Sequence, residues 1–121
     1  MKKTELGAWG ERRVAEHLER EGYCVLERNF RCRMGEIDLI VRKGDVLAFV
    51  EVKLRKNAVH GEAREFVTWT KRQKLHTTAT WYLMSHPQAE ELRLRFDVAE
   101  VYAPQGAEGP ATVRYIENAF E

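Results

Sequence analysis

The chain has 121 residues, 44% hydrophobic and 10% aromatic, the composition of one compact domain spanning 1–121 with a single core. No stretch approaches the ~20 consecutive apolar residues of a membrane span, and the basic start MKKTELGAWGERR has no apolar run behind it, so a soluble, cytoplasmic protein is expected. The net charge of +1 says little about a polyanionic partner, but residues 1–86 carry 17 Lys and Arg against 12 acids and residues 87–121 carry 3 against 7, a basic bias over the first part of the chain.

In chain order, 4–21 reads as a helix with Thr4 as N-cap and Gly22 as its stop. YCVLERNFRCR (23–33) reads as a strand; Cys24 and Cys32 both lie on it, too far apart to bridge each other, and two cysteines without paired spacing make no thiolate zinc site. Residues 35–42 and 46–55 read as a hairpin whose two-residue turn, Gly44-Asp45, suits a type II′ geometry. Residues 57–66 read as a loop, 67–86 as a second helix ended by Pro87, and LRLRFDVAEVYA (92–103) as a fourth strand. PQGAEGPA is turn-rich, and TVRYIENAF (112–120) reads as a short edge strand with a frayed tail. The order α-β-β-β-α-β-(β) gives an α/β sandwich, a mixed central sheet flanked by two helices.

The hairpin carries Asp38, Glu51 and Lys53 where an apolar pattern expects core. Strand alternation puts Leu47, Phe49, Glu51 and Lys53 on one face, and Ala48, Val50, Val52 and Leu54 on the other. With Lys43 opposite Val46, the register runs on to place Asp38 opposite Glu51, about 4.5 to 5.5 Å apart at Cα, and Glu36 opposite Lys53. On the first helix, Gly7, Val14, Ala15 and Leu18 form the apolar stripe, and Glu11 falls inside it. Three converging carboxylates need compensation; Lys53 supplies one charge, and a hard divalent cation, Mg²⁺ or Mn²⁺, would supply the rest. Such a donor set suits hydrolysis of a phosphodiester, with Lys53 orienting or deprotonating the attacking water. A plain buried Asp38–Lys53 ion pair is the structural alternative.

An acid, then Asp38, then twelve residues to Glu51-Val52-Lys53 resembles the PD-(D/E)xK, restriction-endonuclease-like nucleases, and among them the archaeal Holliday-junction resolvases. A closer match is the YraN-like bacterial family, whose function is uncharacterised, through GxxGE (7–11), RNFR (28–31), GEIDLI (35–40), FVEVK (49–53), RFDV (95–98) and NAF (118–120). The superfamily's proline is replaced by Ile37. The resemblance implies a restriction-endonuclease-like fold, Asp38 and Glu51 as metal ligands with the Val52 carbonyl as a further one, Lys53 as the catalytic lysine, Glu11 as an auxiliary acid, and a homodimer.

Asn29 and Arg31 are candidates for nucleic-acid backbone contacts. Lys71 falls near the stripe Val67, Leu75, Thr78, Ala79, Tyr82 and can reach toward the site as a phosphate contact, with Lys74 at its margin; lysines that snorkel over the core fit the same positions. Arg95 and Asp97 fit a structural pair, the four histidines show no ligand spacing, and Trp9, Trp69 and Trp81 are expected in core or rim packing. The chain therefore reads as a divalent-metal-dependent DNA endonuclease acting on duplex or branched DNA, or as a nucleic-acid-binding module that keeps the scaffold without turnover.

Overall fold

A computed structural model of the chain describes residues 5–56 and 67–121. The expected Thr4 cap and the 57–66 loop lie outside these residues. The elements run α1 (Glu5–Arg20), β1 (Cys24–Cys32), β2 (Gly35–Lys43), β3 (Val46–Arg55), α2 (Trp69–Ser85), β4 (Arg93–Tyr102) and β5 (Thr112–Phe120), with short 3₁₀ turns at Pro87–Glu91 and Gly106–Glu108. The five strands form one sheet in the order β1-β2-β3-β4-β5. All neighbours are antiparallel except β3 and β4, and that parallel pair needs the long crossover in which α2 lies.

Local chemistry accounts for the boundaries. Gly22, at φ +93°, closes α1 with the N–H of Tyr23 on the Leu18 carbonyl and that of Gly22 on the Glu19 carbonyl, the paired bonds of a Schellman cap. Gly44 has φ +60° and Asp45 does not share a positive φ, so the β2–β3 turn is of the expected II′ kind. Helix α2 starts two residues later than the pattern suggests, because the Thr68 hydroxyl accepts the Lys71 N–H at 3.1 Å and acts as N-cap; Val67 is buried just ahead of it. Pro87 ends α2 and also opens the first 3₁₀ turn, where its missing N–H costs nothing.

The sheet divides two apolar layers. Ile37, Ile40, Leu47, Phe49 and Val98 pack under α2, while Leu39, Val41, Ala48, Val50 and Val101 pack under α1. β5 runs over the expected residues, Thr112–Phe120, but its tail is not frayed: Phe120 is buried, stacked on Phe96 with ring centroids 5.3 Å apart. A last aromatic that completes a core cluster holds the end of the chain down. Arg95 and Asp97 are the structural pair anticipated. Fully buried Asp97 takes two bonds from Arg95, the Asn118 N–H at 2.8 Å and the Tyr115 hydroxyl, while Arg95 also donates to the Tyr23 hydroxyl at 2.6 Å. Burial and the Asp97 charge push the Tyr115 hydroxyl well above its ordinary range, so it stays a donor to the carboxylate.

The tryptophans on α2 depart from the core-or-rim expectation. Trp69 and Trp81 are 70% and 51% exposed, whereas Trp9 packs against the α1 layer. The buried stripe of α2 is Leu75, Thr78, Ala79 and Tyr82, and at 100° per residue both exposed rings fall outside it. Among the described residues no helix is long and apolar enough to cross a membrane.

Candidate active site

The site forms where β2 and β3 part. Their ladder runs from Lys43–Val46 to Leu39–Val50 and stops there. One residue further, Asp38 Oδ2 accepts the Val52 N–H at 2.8 Å, so a side chain occupies the place of the next strand-to-strand bond. This corrects the extrapolated register: Asp38 is not a ladder partner of Glu51, nor Glu36 of Lys53, because the carboxylate itself ends the pairing.

The same interruption appears on β1. Arg28 pairs with Leu39 and Phe30 with Ile37, and between them Asn29 takes φ +53°, the left-handed region that Asn tolerates better than most side chains. On β2 the facing alternation slips by one residue across Asp38, since Ile37 and Ile40 both face α2 while Leu39 faces α1. A slip of that kind moves an ionisable group without moving the core on either side of it.

Three carboxylates meet on the α1 side of the fork. One oxygen from each of Glu11, Glu36 and Asp38 lies within 4.8 Å of the others, and both Glu11 and Asp38 are buried. Glu11 reaches the cluster from the buried stripe of α1, whose preceding Gly10 lies against Leu54: a Cβ at Gly10 would sit 3.2 Å from the leucine side chain. The Asn29 amide, oriented to donate, is 2.9 Å from Glu11 Oε1 and 3.0 Å from Glu36 Oε1. Asn29 is thus placed between two acids. Glu36 also pairs with Arg31 at 3.1 Å, an exposed contact.

Glu51 lies on the α2 side. It is buried, with Lys71 Nζ at 3.2 Å and Lys53 Nζ at 3.4 Å, so Lys71 does reach into the site from the first turn of α2. Burial and then the nearby Asp38 charge raise the Glu51 pKa, and the two lysines only partly offset this. Desolvation outweighs the ion pairs. Lys74 lines an open cleft beside the β1–β2 turn, together with Arg31, Cys32, Arg33, Met34, Gly35 and Glu36. Cys24 and Cys32 are free thiols.

The structure therefore brings Glu11, Asp38, Glu51, Lys53 and Lys71 into one region, split over two faces, with Lys74 in the neighbouring cleft that Glu36 also lines. Sequence reasoning passed over Glu36, although an acid two residues from Asp38 in GEIDLI was the available signal. The described donor set is all oxygen on the α1 side, the chemistry of a hard cation. The N–H and C=O of a strand residue leave by the same edge, so the Val52 carbonyl opens toward the fork as well.

Comparison with known proteins identifies relatives along the whole chain. Residues 10–101 match the model of "Uncharacterised protein family UPF0102". A UPF0102 protein of Alkaliphilus metalliredigens is 42% identical over 115 residues, covering 95% of this chain and 96% of the relative. One from Caldicellulosiruptor saccharolyticus is 41% identical over 120 residues, covering 99% and 100%; one from Clostridium botulinum, strain Loch Maree, is 37% identical over 117 residues, covering 97% and 94%. The chain belongs to the uncharacterised family UPF0102, the YraN-like bacterial family.

Proposed function

We propose that the protein is a divalent-metal-dependent DNA endonuclease of the restriction-endonuclease-like, PD-(D/E)xK kind, similar to the archaeal Holliday-junction resolvases, with duplex or branched DNA as substrate. The observation that carries this reading is the meeting of Glu11, Glu36 and Asp38 within 4.8 Å beside the Glu51–Lys53 pair. Three carboxylates held so close repel one another unless a cation or a proton joins them. Mg²⁺ or Mn²⁺ fits the donor set, with Asp38 as the central ligand, Glu11, Glu36 and Glu51 around it and the Val52 carbonyl as a further oxygen.

When bound, such a cation neutralises charge on a phosphodiester and acidifies water. The chain's own groups do the rest. The Val52 N–H fixes one Asp38 oxygen and with it the orientation of the carboxylate. Asn29 holds Glu11 and Glu36 in place. Lys53, whose side chain is 27% exposed, presents its amine to a phosphate oxygen and to the attacking water, which it orients or deprotonates. Lys71 and Arg31 flank the fork as phosphate contacts, and Lys74 continues the basic surface along the β1–β2 turn.

The test is incubation of purified protein with duplex, flap and four-way-junction DNA, with and without Mn²⁺. Metal-dependent cutting that Asp38→Asn abolishes supports the reading; no cutting of any of the three overturns it. One observation favours a second reading, a nucleic-acid-binding module without turnover: Glu51 is already flanked by two lysine ammonium groups. Salt-dependent binding without cleavage selects that alternative. A cytoplasmic location and a homodimer complete the proposal, the latter supported by the uncharged outer face of α2, where Trp69, Gln73, Thr80, Trp81 and Met84 are exposed.

A further inference from the structure

The sheet face that carries Glu51 and Lys53 continues past α2 onto β4 and β5, where two more charges stand in order. Lys53 is the cross-strand partner of Glu100, and Glu100 of Arg114, so the three form one row across β3, β4 and β5. They share a face. Phe96 and Val98 on β4 and Ile116 on β5 belong to the α2 layer, and alternation carries Glu100 and Arg114 to the same side. Arg55, two residues beyond Lys53, joins them there.

Glu100 is buried, and its two oxygens face different arginines: Arg114 at 3.1 Å on Oε1 and Arg55 at 4.0 Å on Oε2. The arginines are not equally enclosed. The Arg114 side chain is 60% exposed and that of Arg55 29%. One guanidinium would neutralise Glu100; here a second stands beside it, and the Arg114 side chain, fixed by its bond to Glu100, is turned largely to water. A guanidinium has five N–H donors in a rigid fork, and the Arg114–Glu100 bond engages one edge of it. An anchored arginine loses less entropy on meeting a phosphate than a free one does.

Spacing agrees with a continuous strand path. From Glu51 to Arg55 along β3 is about 13 Å at ~3.3 Å per residue, and from Lys53 to Arg114 across two strand spacings is about 10 Å. Either distance covers roughly three to four nucleotide rises of ~3.4 Å.

The geometry points to a second phosphate-binding subsite for DNA, formed by Arg55 and Arg114 and positioned by Glu100, lying beside the fork on the Lys53 side. It rests on the proposed function only in taking DNA as the ligand; it does not need cleavage. The experiment measures binding of a labelled 30-base-pair duplex in EDTA across a salt series, for wild type, Arg114→Ala, Arg55→Ala and Arg114→Lys. Removing Arg114 leaves the buried Glu100 to Arg55 alone, so Arg114→Ala is expected to fold with a lowered melting temperature, and binding is measured well below that temperature.

The expected result is a fall of about one in the slope of log K against log salt for Arg114→Ala. Binding at low salt should weaken roughly five- to tenfold, Arg55→Ala should behave alike, and Arg114→Lys should recover the slope. An unchanged slope in both alanine variants overturns the subsite, even where wild type cuts DNA in Mn²⁺. A wild type that binds with an Arg114-dependent slope yet never cuts overturns the nuclease reading and supports the subsite. Wild type that binds no duplex overturns the subsite outright.

Discussion

Asp38 Oδ2 accepts the backbone N–H of Val52 at 2.8 Å, and this one bond both ends the β2–β3 ladder and aims a carboxylate at Glu11 and Glu36. Two roles in one side chain can be separated by substitution. Asp38→Asn keeps an acceptor for Val52 and removes the charge; it should fold within about 1 kcal/mol of wild type and lose at least ~100-fold in cleavage rate. Asp38→Ala strands the amide and should cost about 1–3 kcal/mol. Denaturant melts of the two variants, set beside their cleavage rates, check the separation; equal stability would show that the Val52 bond carries no weight.

The pH dependence of stability follows from Glu51, whose pKa in the fold is raised from its ordinary 4.5 by burial and by Asp38. Below 4.5 both folded and unfolded chains hold the proton and burial carries no penalty. As pH rises through 4.5 toward the folded value, the unfolded chain ionises first and the fold loses stability relative to it, a deficit that levels off once the folded group has ionised as well. Glu51→Gln should therefore be more stable than wild type at pH 7, by roughly 1 kcal/mol as at other functional positions, with the gain vanishing near pH 4. A Gln variant less stable than wild type at pH 7 would mean that the lysine pairs outweigh burial.

Cation binding can be read without any substrate. Mn²⁺ bound only by the folded protein raises the melting temperature, by about 2.7 kcal/mol of stability at a hundred times Kd. Glu36→Gln should shrink that shift while leaving the metal-free melting temperature within a degree or two. A full shift in Glu36→Gln would place the ion elsewhere on the fork, away from the α1-side acids.

Gly35 owes its place to the neighbouring helix. A Cβ there would lie 2.9 Å from the Thr78 hydroxyl and 3.6 Å from Lys74 Cβ, and that hydroxyl is itself bonded to the Lys74 carbonyl at 2.8 Å. Gly35→Ala should cost about 1–3 kcal/mol through overpacking, and adding Thr78→Ala should recover part of it. Chemical denaturation of the single and double variants gives the coupling directly; simple additivity would rule out the steric account.

The uncharged outer face of α2 predicts self-association. Light scattering coupled to size exclusion should give a dimer for wild type and a monomer for Trp81→Glu, which places a charge at the centre of the patch. A monomeric wild type at tens of micromolar removes the homodimer from the proposal.

Much of this arrangement was legible before any coordinates. Gly22, Gly44-Asp45 and Pro87 each have a single conformational use, and each ended an element where expected. Glu11 stood out because helix periodicity is rigid enough to place one side chain in the apolar stripe. What failed was the assumption that a ladder, once started, continues: the register was right from Lys43 to Leu39 and wrong at Asp38, where a side-chain acceptor outcompeted the next strand-to-strand bond. The slip at Asp38 and the left-handed Asn29 are local departures that period-two reasoning cannot contain, and they are what turn Glu36 into the cluster. The bounds of β5 were legible as well, but its anchored end was not, because the residues that hold it, Phe96 and Asp97, are distant in sequence.

Asp97 sets an order on folding. Its carboxylate is satisfied only when Tyr115 and Asn118 join Arg95, and Arg95 reaches back 72 residues to Tyr23. A charge of that kind cannot be dehydrated early without a large penalty, and contacts of such separation form slowly. A nascent chain therefore keeps this half of its sheet hydrated until residue 118 has emerged from the ribosome and can close the bond to Asp97.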